Sequence, residues 1–216
     1  MADLQIDNLK SVPTLQSIID DLSPMLSCGD LRVFNILRNR YDNDNLLSLL
    51  KDKQAEINPL GTLTREDWLD IIRIIEESNE LNPAKDKRIL PYILEFYKYF
   101  KQEESKIVFL KEHLSALYYQ YGMSCKNKFV RNWFSFNLNL NNILTALTCR
   151  KYNWDIKSAL VGDNIVVDTI KMNPNAKDFN LKSEVEYIDK LINISETTNL
   201  LEKEKRIDLL KWEWLV

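Results

Sequence analysis

The amino-acid sequence predicts an all-α protein built as a multi-helix bundle. Its 216 residues include only 4 glycines and 6 prolines, far fewer than the closely spaced turns of an all-β protein require. Apolar residues recur at helical spacing along most of the chain. With 45% hydrophobic and 28% charged residues, the chain has the composition of a globular protein with a real core.

The first half of the chain predicts five helices. A short helix is expected at 13–26, and a second runs from an N-cap at Asp30 to Tyr41. The poor helix formers at 42–45 are expected to end the second helix and to cap a third one, which ends at Lys53.

Local start signals define the next two helices. The loop signals at 57–61 place a helix after Thr64, whose hydroxyl and the acidic Asp67 form an N-cap pattern. After a polar link at 79–87, Pro91 is well placed in the first turn of a fifth, aromatic helix.

The second half predicts one dominant helix among shorter ones. A periodic run from Ile107 is expected to end at Gly122 as a C-cap. Apolar residues then cover most of the helix circumference at 129–147, which indicates a helix surrounded by others. Short helices with turns are expected at 153–182, a further helix from 183, and a final helix at about 198–214.

Charge and cysteine content exclude several classes of protein. The net charge of -3 arises from 29 basic and 32 acidic side chains, so nucleic-acid binding is disfavoured. Cys28, Cys125 and Cys149 form no CxxC pair, which favours a reducing compartment. The first residues lack the pattern of an export signal and no apolar run reaches membrane-spanning length, so we expect neither export nor a membrane span. We expect a cytoplasmic protein, peripheral at the membrane only through a complex.

A short pattern occurs twice, at 41–53 and 138–150, with a constant offset of 97 residues. Each copy has a short polar residue expected to cap a helix, an asparagine three residues later, two apolar pairs and a terminal cation. The cation is expected at the negative end of the helix dipole, and the buried amide is expected to bond neighbouring backbone. The equivalent residues are Asp42 and Asn139, Asn45 and Asn142, and Lys53 and Arg150.

Two origins of this pattern remain open. Any two capped amphipathic helices resemble each other to some degree, so the match can be a coincidence. If it is a duplication, the single helical domain at 1–216 contains pseudo-repeats at 29–101 and 105–175, followed by C-terminal helices at 183–216.

The repeated pattern resembles the C subunit (d in eukaryotes) of the V/A-type rotary ATPases. The strings at 126–133, 142–147 and 207–214 resemble more closely an uncharacterised bacterial family associated with V-type ATPase operons, over nearly the whole chain. The resemblance to the C subunit implies a noncatalytic socket in an ion- or proton-transporting complex, resting on the membrane rotor ring and gripping the foot of the central shaft. The C subunit is longer, with three bundles, and has an arginine where this chain has Lys51 or Lys53.

Residue patterns for catalysis and cofactor binding are missing from the sequence. His113 is the only histidine, so a histidine triad, a His-rich metal site and an HExxH zinc motif are excluded, and we expect this side chain to be solvated. The glycines stand alone, without a phosphate-binding loop. The acid pairs at 76–77 and 103–104 are interpreted as solvated faces. We expect no catalytic residue, cofactor or metal, although a helical enzyme with an unrecognised acid cluster is an alternative.

Two groups of side chains are candidate contacts for a protein partner. Lys126, Lys128 and Arg131 precede the dominant helix, and the pair at 150–151 lies at the end of its repeated pattern. Both groups could contact an acidic partner helix. The alternative is that they face solvent and complement the helix dipole. Trp212 and Trp214 point to different faces of the last helix, so one of them is expected to be exposed unless a partner covers it. The leading hypothesis is the rotary ATPase socket, and the alternative is a free-standing helical adaptor or assembly factor.

Overall fold

The computed structural model describes residues 13–77, 83–102 and 110–216, which contain ten α-helices and no β-strand. The predicted all-α multi-helix bundle is confirmed. Short 3-10 turns lie at Ser23–Met25 and Pro83–Lys85. The α-helices are α1 Leu15–Leu22, α2 Cys28–Lys51, α3 Arg65–Glu76, α4 Pro91–Gln102, α5 Leu110–Met123, α6 Lys128–Tyr152, α7 Ile156–Ala159, α8 Ile165–Met172, α9 Ile188–Ser195 and α10 Leu200–Leu215.

The described chain divides into two compact units. The N-terminal unit is Thr14–Phe134 and the C-terminal unit contains Ser135–Val216, so the division falls within the sequence of α6. The predicted pseudo-repeats at 29–101 and 105–175 remain a prediction, and the second of them extends over the division between the units.

The N-terminal unit has a core formed mainly by α2 to α5 and the first turns of α6. Apolar side chains from each of these helices are almost fully buried, and buried tyrosines donate hydrogen bonds at their edge. The Tyr92 hydroxyl donates to Asn43 Oδ1 at 2.7 Å, and the Tyr118 hydroxyl donates to the carbonyl oxygen of Ile36 at 2.8 Å. The most buried core side chains are Leu46, Leu49, Trp68, Ile71, Phe96, Leu114 and Val130.

Helix α2 is one helix of 24 residues, and the predicted interruption at 42–45 is wrong. The N-cap is Ser27, whose hydroxyl oxygen accepts from the Asp30 amide, so the predicted cap at Asp30 is also wrong. Residues such as aspartate and asparagine are poor helix formers because their side chains compete for backbone hydrogen bonds. Here Asp42 and Asn45 bond instead to a loop that is distant in sequence. Tertiary hydrogen bonding therefore overrides the weak local propensity.

The local start signals of α3 and α4 are confirmed. Thr64 and Asp67 form a complete capping box at the start of α3, with each side chain accepting from the other residue's backbone amide. Pro91 is the first residue of α4, where its missing amide proton costs no hydrogen bond. The predicted link at 79–87 and the start of the run at Ile107 lie partly outside the described residues.

Gly122 lies inside α5 rather than at its C-cap. A Cβ atom at this position would lie 2.1 Å from Cδ1 of Phe134, far inside any permitted contact. The glycine is therefore needed for the close approach of α5 to the Phe134 ring, not for ending the helix.

The C-terminal unit has its own core, built from the later part of α6 with α8, α9 and α10. Its fully buried side chains include Ile143, Ile170, Phe179 and Leu191. The helix expected from 183 begins instead at Ile188, after turns at 182–187. In the described part of the chain, no helix combines the length and the apolar character that crossing a membrane would require.

Candidate functional site

The first copy of the repeated pattern is a hydrogen-bonded clamp between α2 and the loop that follows it. The side chain of Asn45, which is 2% exposed, makes two hydrogen bonds to the backbone of Asn58. Its Nδ2 donates to the Asn58 carbonyl oxygen at 3.0 Å, and its Oδ1 accepts from the Asn58 amide at 2.7 Å. One amide side chain thus pairs with both the backbone amide and the backbone carbonyl of Asn58, as a neighbouring strand does in a β-sheet.

Asp42 strengthens this clamp one helical turn earlier. Its carboxylate is 3% exposed and accepts from the Thr62 amide at 2.9 Å, the Thr62 hydroxyl at 2.8 Å and the Leu63 amide at 3.3 Å. A Cβ atom on Gly61 would lie 2.6 Å from Asp42 Oδ1 and 2.9 Å from Asn45 Nδ2. Glycine is required there because the loop backbone passes directly over both side chains.

The second copy has the same arrangement on α6. Asn142 is 2% exposed; its Nδ2 donates to the Val161 carbonyl oxygen at 2.8 Å, and its Oδ1 accepts from the Val161 amide at 2.9 Å. One turn earlier, Asn139 Oδ1 accepts from Asn164 Nδ2 at 2.8 Å. The Asn164 side chain in turn caps α8 by accepting from the Val167 amide. Each unit therefore contains one asparagine clamp.

The clamp corrects the expected role of two residues. The sequence predicts that Asp42 and Asn139 cap helices, but both lie in the interior of long helices, α2 and α6. The expected bond from the buried asparagine to backbone is present in both copies. The backbone group belongs to a loop 13 residues after Asn45 and 19 residues after Asn142, and the short sequence pattern does not contain these loops.

The terminal cations of the two copies differ in position and partner. Lys53 lies two residues after the end of α2 and is exposed, and the carbonyl oxygens of residues 53 to 55 accept from Arg65 of α3. Lys53 therefore lies beyond the last turn of α2, whose basic residue is Lys51. In this copy, an arginine from the next helix binds the carbonyl groups of the segment that follows α2.

Arg150 lies in the last turn of α6, as expected, and its side chain binds a loop. Its guanidinium donates to the carbonyl oxygens of Pro174 at 2.8 Å, Ala176 at 2.7 Å and Lys177 at 3.1 Å. The same group lies 3.9 Å from the ring centroid of Phe179, a buried residue with φ of 53°. Desolvation lowers the pKa of Arg150 from its usual value. Arg150 thus holds the turn after α8 against α6.

The three cations at the start of α6 are exposed: Lys126 lies before the helix, Lys128 is its first residue and Arg131 lies in its first turn. Lys126 and Lys128 form no ion pair within the described residues, whereas Arg131 Nη1 donates to the carbonyl oxygens of Cys125 and Lys126 at 2.9 and 3.0 Å. Arg131 therefore stabilises the connection between α5 and α6. A partner contact at these residues stays a prediction.

The two tryptophans of α10 are both half-buried, so the expectation that one would be exposed is wrong. Trp214 stacks on Phe136, with ring centroids 4.8 Å apart and an interplanar angle of 19°. This stacking covers much of the indole, which explains why the side chain is not exposed. Contact of Trp212 or Trp214 with a partner remains a prediction.

His113 is not the solvated residue that the sequence predicts. Its ring is half-buried and stacks on Tyr99, with centroids 3.9 Å apart. Desolvation lowers the pKa of His113, opposed by the charge of Glu95. Glu76 and Glu77 are exposed, as expected, and the pair at 103–104 lies outside the described residues.

A charge cluster that the sequence pattern did not predict surrounds Arg88. The guanidinium forms ion pairs with Asp86 at 2.6 Å, Asp70 at 2.7 Å and Asp67 at 3.0 Å. Hydrogen bonds from Arg88 lower the pKa of Asp86 and of Asp70, while hydrogen bonds from Thr64 are the largest cause that lowers the pKa of Asp67. The cluster joins the start of α3 to the segment before α4.

Two further features bear on chemistry. No group of three or more histidine, cysteine or acidic side chains suited to holding a metal ion occurs in the part of the chain that the structure describes. Cys28, Cys125 and Cys149 have free thiols, and desolvation raises the pKa of Cys149. A raised pKa makes this buried thiol a poor nucleophile.

Comparison with known proteins gives a single result. No curated protein and no solved structure matches the chain at a significant level. One family model matches residues 1–216, described as "Protein of unknown function (DUF2764)". Because this match covers the whole chain, the protein belongs to the DUF2764 family.

Proposed function

We propose that this protein is a noncatalytic structural subunit of a V/A-type rotary ATPase. It acts as a socket like the C subunit, linking the central shaft to the membrane rotor ring from the cytoplasmic side. The observation that carries the proposal is the asparagine clamp, which occurs once in each compact unit. The clamp residues are the same ones through which the sequence resembles the repeated bundles of the C subunit.

The clamps suit a part that transmits force. Each one fixes a loop to a long helix through two hydrogen bonds made by a buried amide. Loss of one partner of a buried hydrogen bond costs about 1–3 kcal/mol, so separating the loop from its helix requires several kcal/mol of free energy. A socket needs such stiffness because it must keep its shape while it transmits rotation between the rotor ring and the shaft.

Three side chains of types that often carry catalysis have partners or burial that fix them in the fold. Asp42 is surrounded by hydrogen-bond donors, His113 is stacked on Tyr99, and the Cys149 thiol is buried with a raised pKa. These environments favour stable packing over proton transfer or nucleophilic attack. They support a role in binding.

Co-purification from native membranes tests the proposal. The full chain, tagged and expressed at its natural level, is isolated after mild solubilisation, and rotary ATPase subunits are quantified in the same fraction. We expect constant recovery of shaft and ring subunits with the chain. Repeated absence of the chain from an intact, active rotary ATPase would overturn the proposal.

A free-standing helical adaptor or assembly factor is a second candidate function. The observation that favours it is a group of large apolar side chains left exposed in the C-terminal unit, among them Trp154 at 63% and Leu201 at 68% exposed, which suits a soluble partner. Cell fractionation separates the two functions. A pool that stays free of membranes while the rotary ATPase is intact indicates the adaptor.

A further inference from the structure

A cleft in the C-terminal unit lies at the C-terminal end of α6. It has a volume of about 680 Å³ and is lined by the last turns of α6, by Lys177, by the end of α9 and by the start of α10. All these elements belong to one compact unit. The cleft is large enough to hold several side chains of another protein.

The charge of the cleft is strongly one-sided. Four cationic side chains line it, those of Arg150, Lys151, Lys177 and Lys203, against one carboxylate, Glu196. Within the described residues, the three lysines form no ion pair. The positive end of the α10 dipole lies at the same place, because residues 198 and 200 also line the cleft; this adds to the positive potential. The chain as a whole is acidic, so the basic cleft is a local departure from it.

The cleft also presents apolar surface. Half-buried Leu147 and the edge of Ile192, which is 7% exposed, form part of its wall, and Leu200, also a lining residue, is 73% exposed. Tyr152, another lining residue, is 56% exposed and stacks on Trp154 at a centroid distance of 5.3 Å. Large apolar groups beside cations form the usual anatomy of a protein interface, with an apolar centre and a charged rim.

We propose that this cleft docks an acidic segment of a partner protein, with an apolar side chain of the partner against Leu147 and Ile192 and its carboxylates against Lys151, Lys177 and Lys203. The proposal rests on the proposed binding role of the chain and adds its docking site and the chemistry of its partner. A membrane surface fits the charge but not the concave shape, because lipid headgroups would leave the apolar wall uncovered.

A direct binding measurement with defined peptides tests the cleft. The full chain, labelled for NMR, is titrated with an amphipathic helical peptide of leucine and glutamate, and with versions in which glutamine or lysine replaces glutamate. We expect the glutamate peptide to bind about tenfold more tightly than the glutamine peptide, because paired charges add to the apolar contact. The shifted resonances should include Leu147, Ile192 and Leu200. Equal binding of the two peptides would overturn the proposal.

Matched charge reversals locate the site. The double variant Lys151→Glu with Lys177→Glu changes two exposed side chains and is expected to weaken the glutamate peptide about tenfold. The control, Lys85→Glu with Lys98→Glu, makes the same change at exposed lysines of the N-terminal unit that are not among the candidate partner contacts and should alter binding by less than about twofold. An equal effect of both double variants contradicts the cleft. So does binding to phosphatidylglycerol vesicles without binding to the peptide.

The outcome is separable from that of co-purification. If the cleft variant loses the glutamate peptide, the docking site is supported whether or not the chain accompanies a rotary ATPase. If the chain accompanies the ATPase and no peptide binds, the proposed function stands and the cleft proposal is overturned.

Discussion

Replacing Asn142 with aspartate alters one buried atom and isolates the contribution of a clamp. The variant keeps the shape and the acceptor that receives the Val161 amide, but it loses the Nδ2 donor that lies 2.8 Å from the Val161 carbonyl oxygen. A carboxylate oxygen then faces the Val161 carbonyl oxygen, and both are acceptors, at a position where the natural Asn142 side chain is 2% exposed. We expect a loss of about 1–3 kcal/mol for the unmade hydrogen bond.

Burial of the new carboxylate adds a second, pH-dependent cost. Desolvation raises the folded-state pKa of such a group above its unfolded value of about 3.9, and a tenfold change in the acid dissociation constant corresponds to about 1.4 kcal/mol. The penalty is absent below the unfolded pKa and grows as the pH rises towards the folded pKa. If the pKa rises to about 6, this shift costs about 3 kcal/mol at neutral pH, so the total loss there is about 4–6 kcal/mol. The loss becomes smaller below about pH 4, where the protonated carboxyl can again donate.

Urea denaturation followed by circular dichroism measures this loss at neutral and acidic pH. Asn132→Asp is the control, because Asn132 is exposed on the same helix and should change stability by less than about 0.5 kcal/mol. The reasoning would be refuted if Asn142→Asp lost no more stability than the control, or if its loss did not change with pH.

Three further perturbations follow from the same structure. Asn45→Asp, assayed in the same way, should be more costly than the equivalent change in the second clamp, because a buried carboxylate already lies beside it at the same loop. Gly122→Ala should lower stability by about 1–3 kcal/mol or more, because the new methyl group clashes with Phe134. Gly29→Ala, in the open first turn of α2, should instead raise stability by about 0.5–1 kcal/mol. Thermal unfolding measures both changes. Arg88→Met should raise the lowered pKa values of Asp86 and Asp70, which NMR titration measures. Carboxyl groups with lowered pKa values stabilise the folded state above about pH 4, and this stabilisation is lost as the pH falls. The variant should therefore lose less stability than the natural chain over the same fall in pH.

The elements that could be predicted are those with their signals in consecutive residues. The start of α3 follows from Thr64 and Asp67, which cap it together, and the start of α4 follows from Pro91. The continuity of α2 could not be predicted, because Asp42 and Asn45 would end a helix in isolation. They are tolerated only through Asn58 and the loop beyond it, and such partners leave no local trace in the sequence.

The candidate site shows the same limit. The matched positions of Asn45 and Asn142 identified the two residues that form the clamps, since a buried amide must find backbone partners. Their partners could not be identified, because the loops join at different separations, 13 and 19 residues. The carbonyl groups near Lys53 are bound by Arg65 from the next helix, which a pattern confined to one helix cannot indicate.

The second clamp and the cleft are linked through one helix. Asn142 fixes the loop before α8 to α6, and Arg150, two turns later, fixes the turn after α8 to the same helix. Arg150 also lines the cleft, together with Lys177 from the turn that it holds. The backbone that carries these cations is thus ordered before any partner arrives. Preorganised groups lose less conformational entropy on binding, so a defect in the Arg150 contacts should weaken docking even where the cleft lysines are unchanged.

Arg150→Lys tests this link, because it keeps the charge but loses the fork that binds three carbonyl groups. We expect this variant to bind the glutamate peptide more weakly, while the control Lys98→Arg, at an exposed position of the N-terminal unit, leaves the affinity unchanged. The same NMR titration measures both. Unchanged peptide affinity in Arg150→Lys would show that docking does not depend on the Arg150 contacts, since Lys177 would then keep its position without the arginine that binds its backbone.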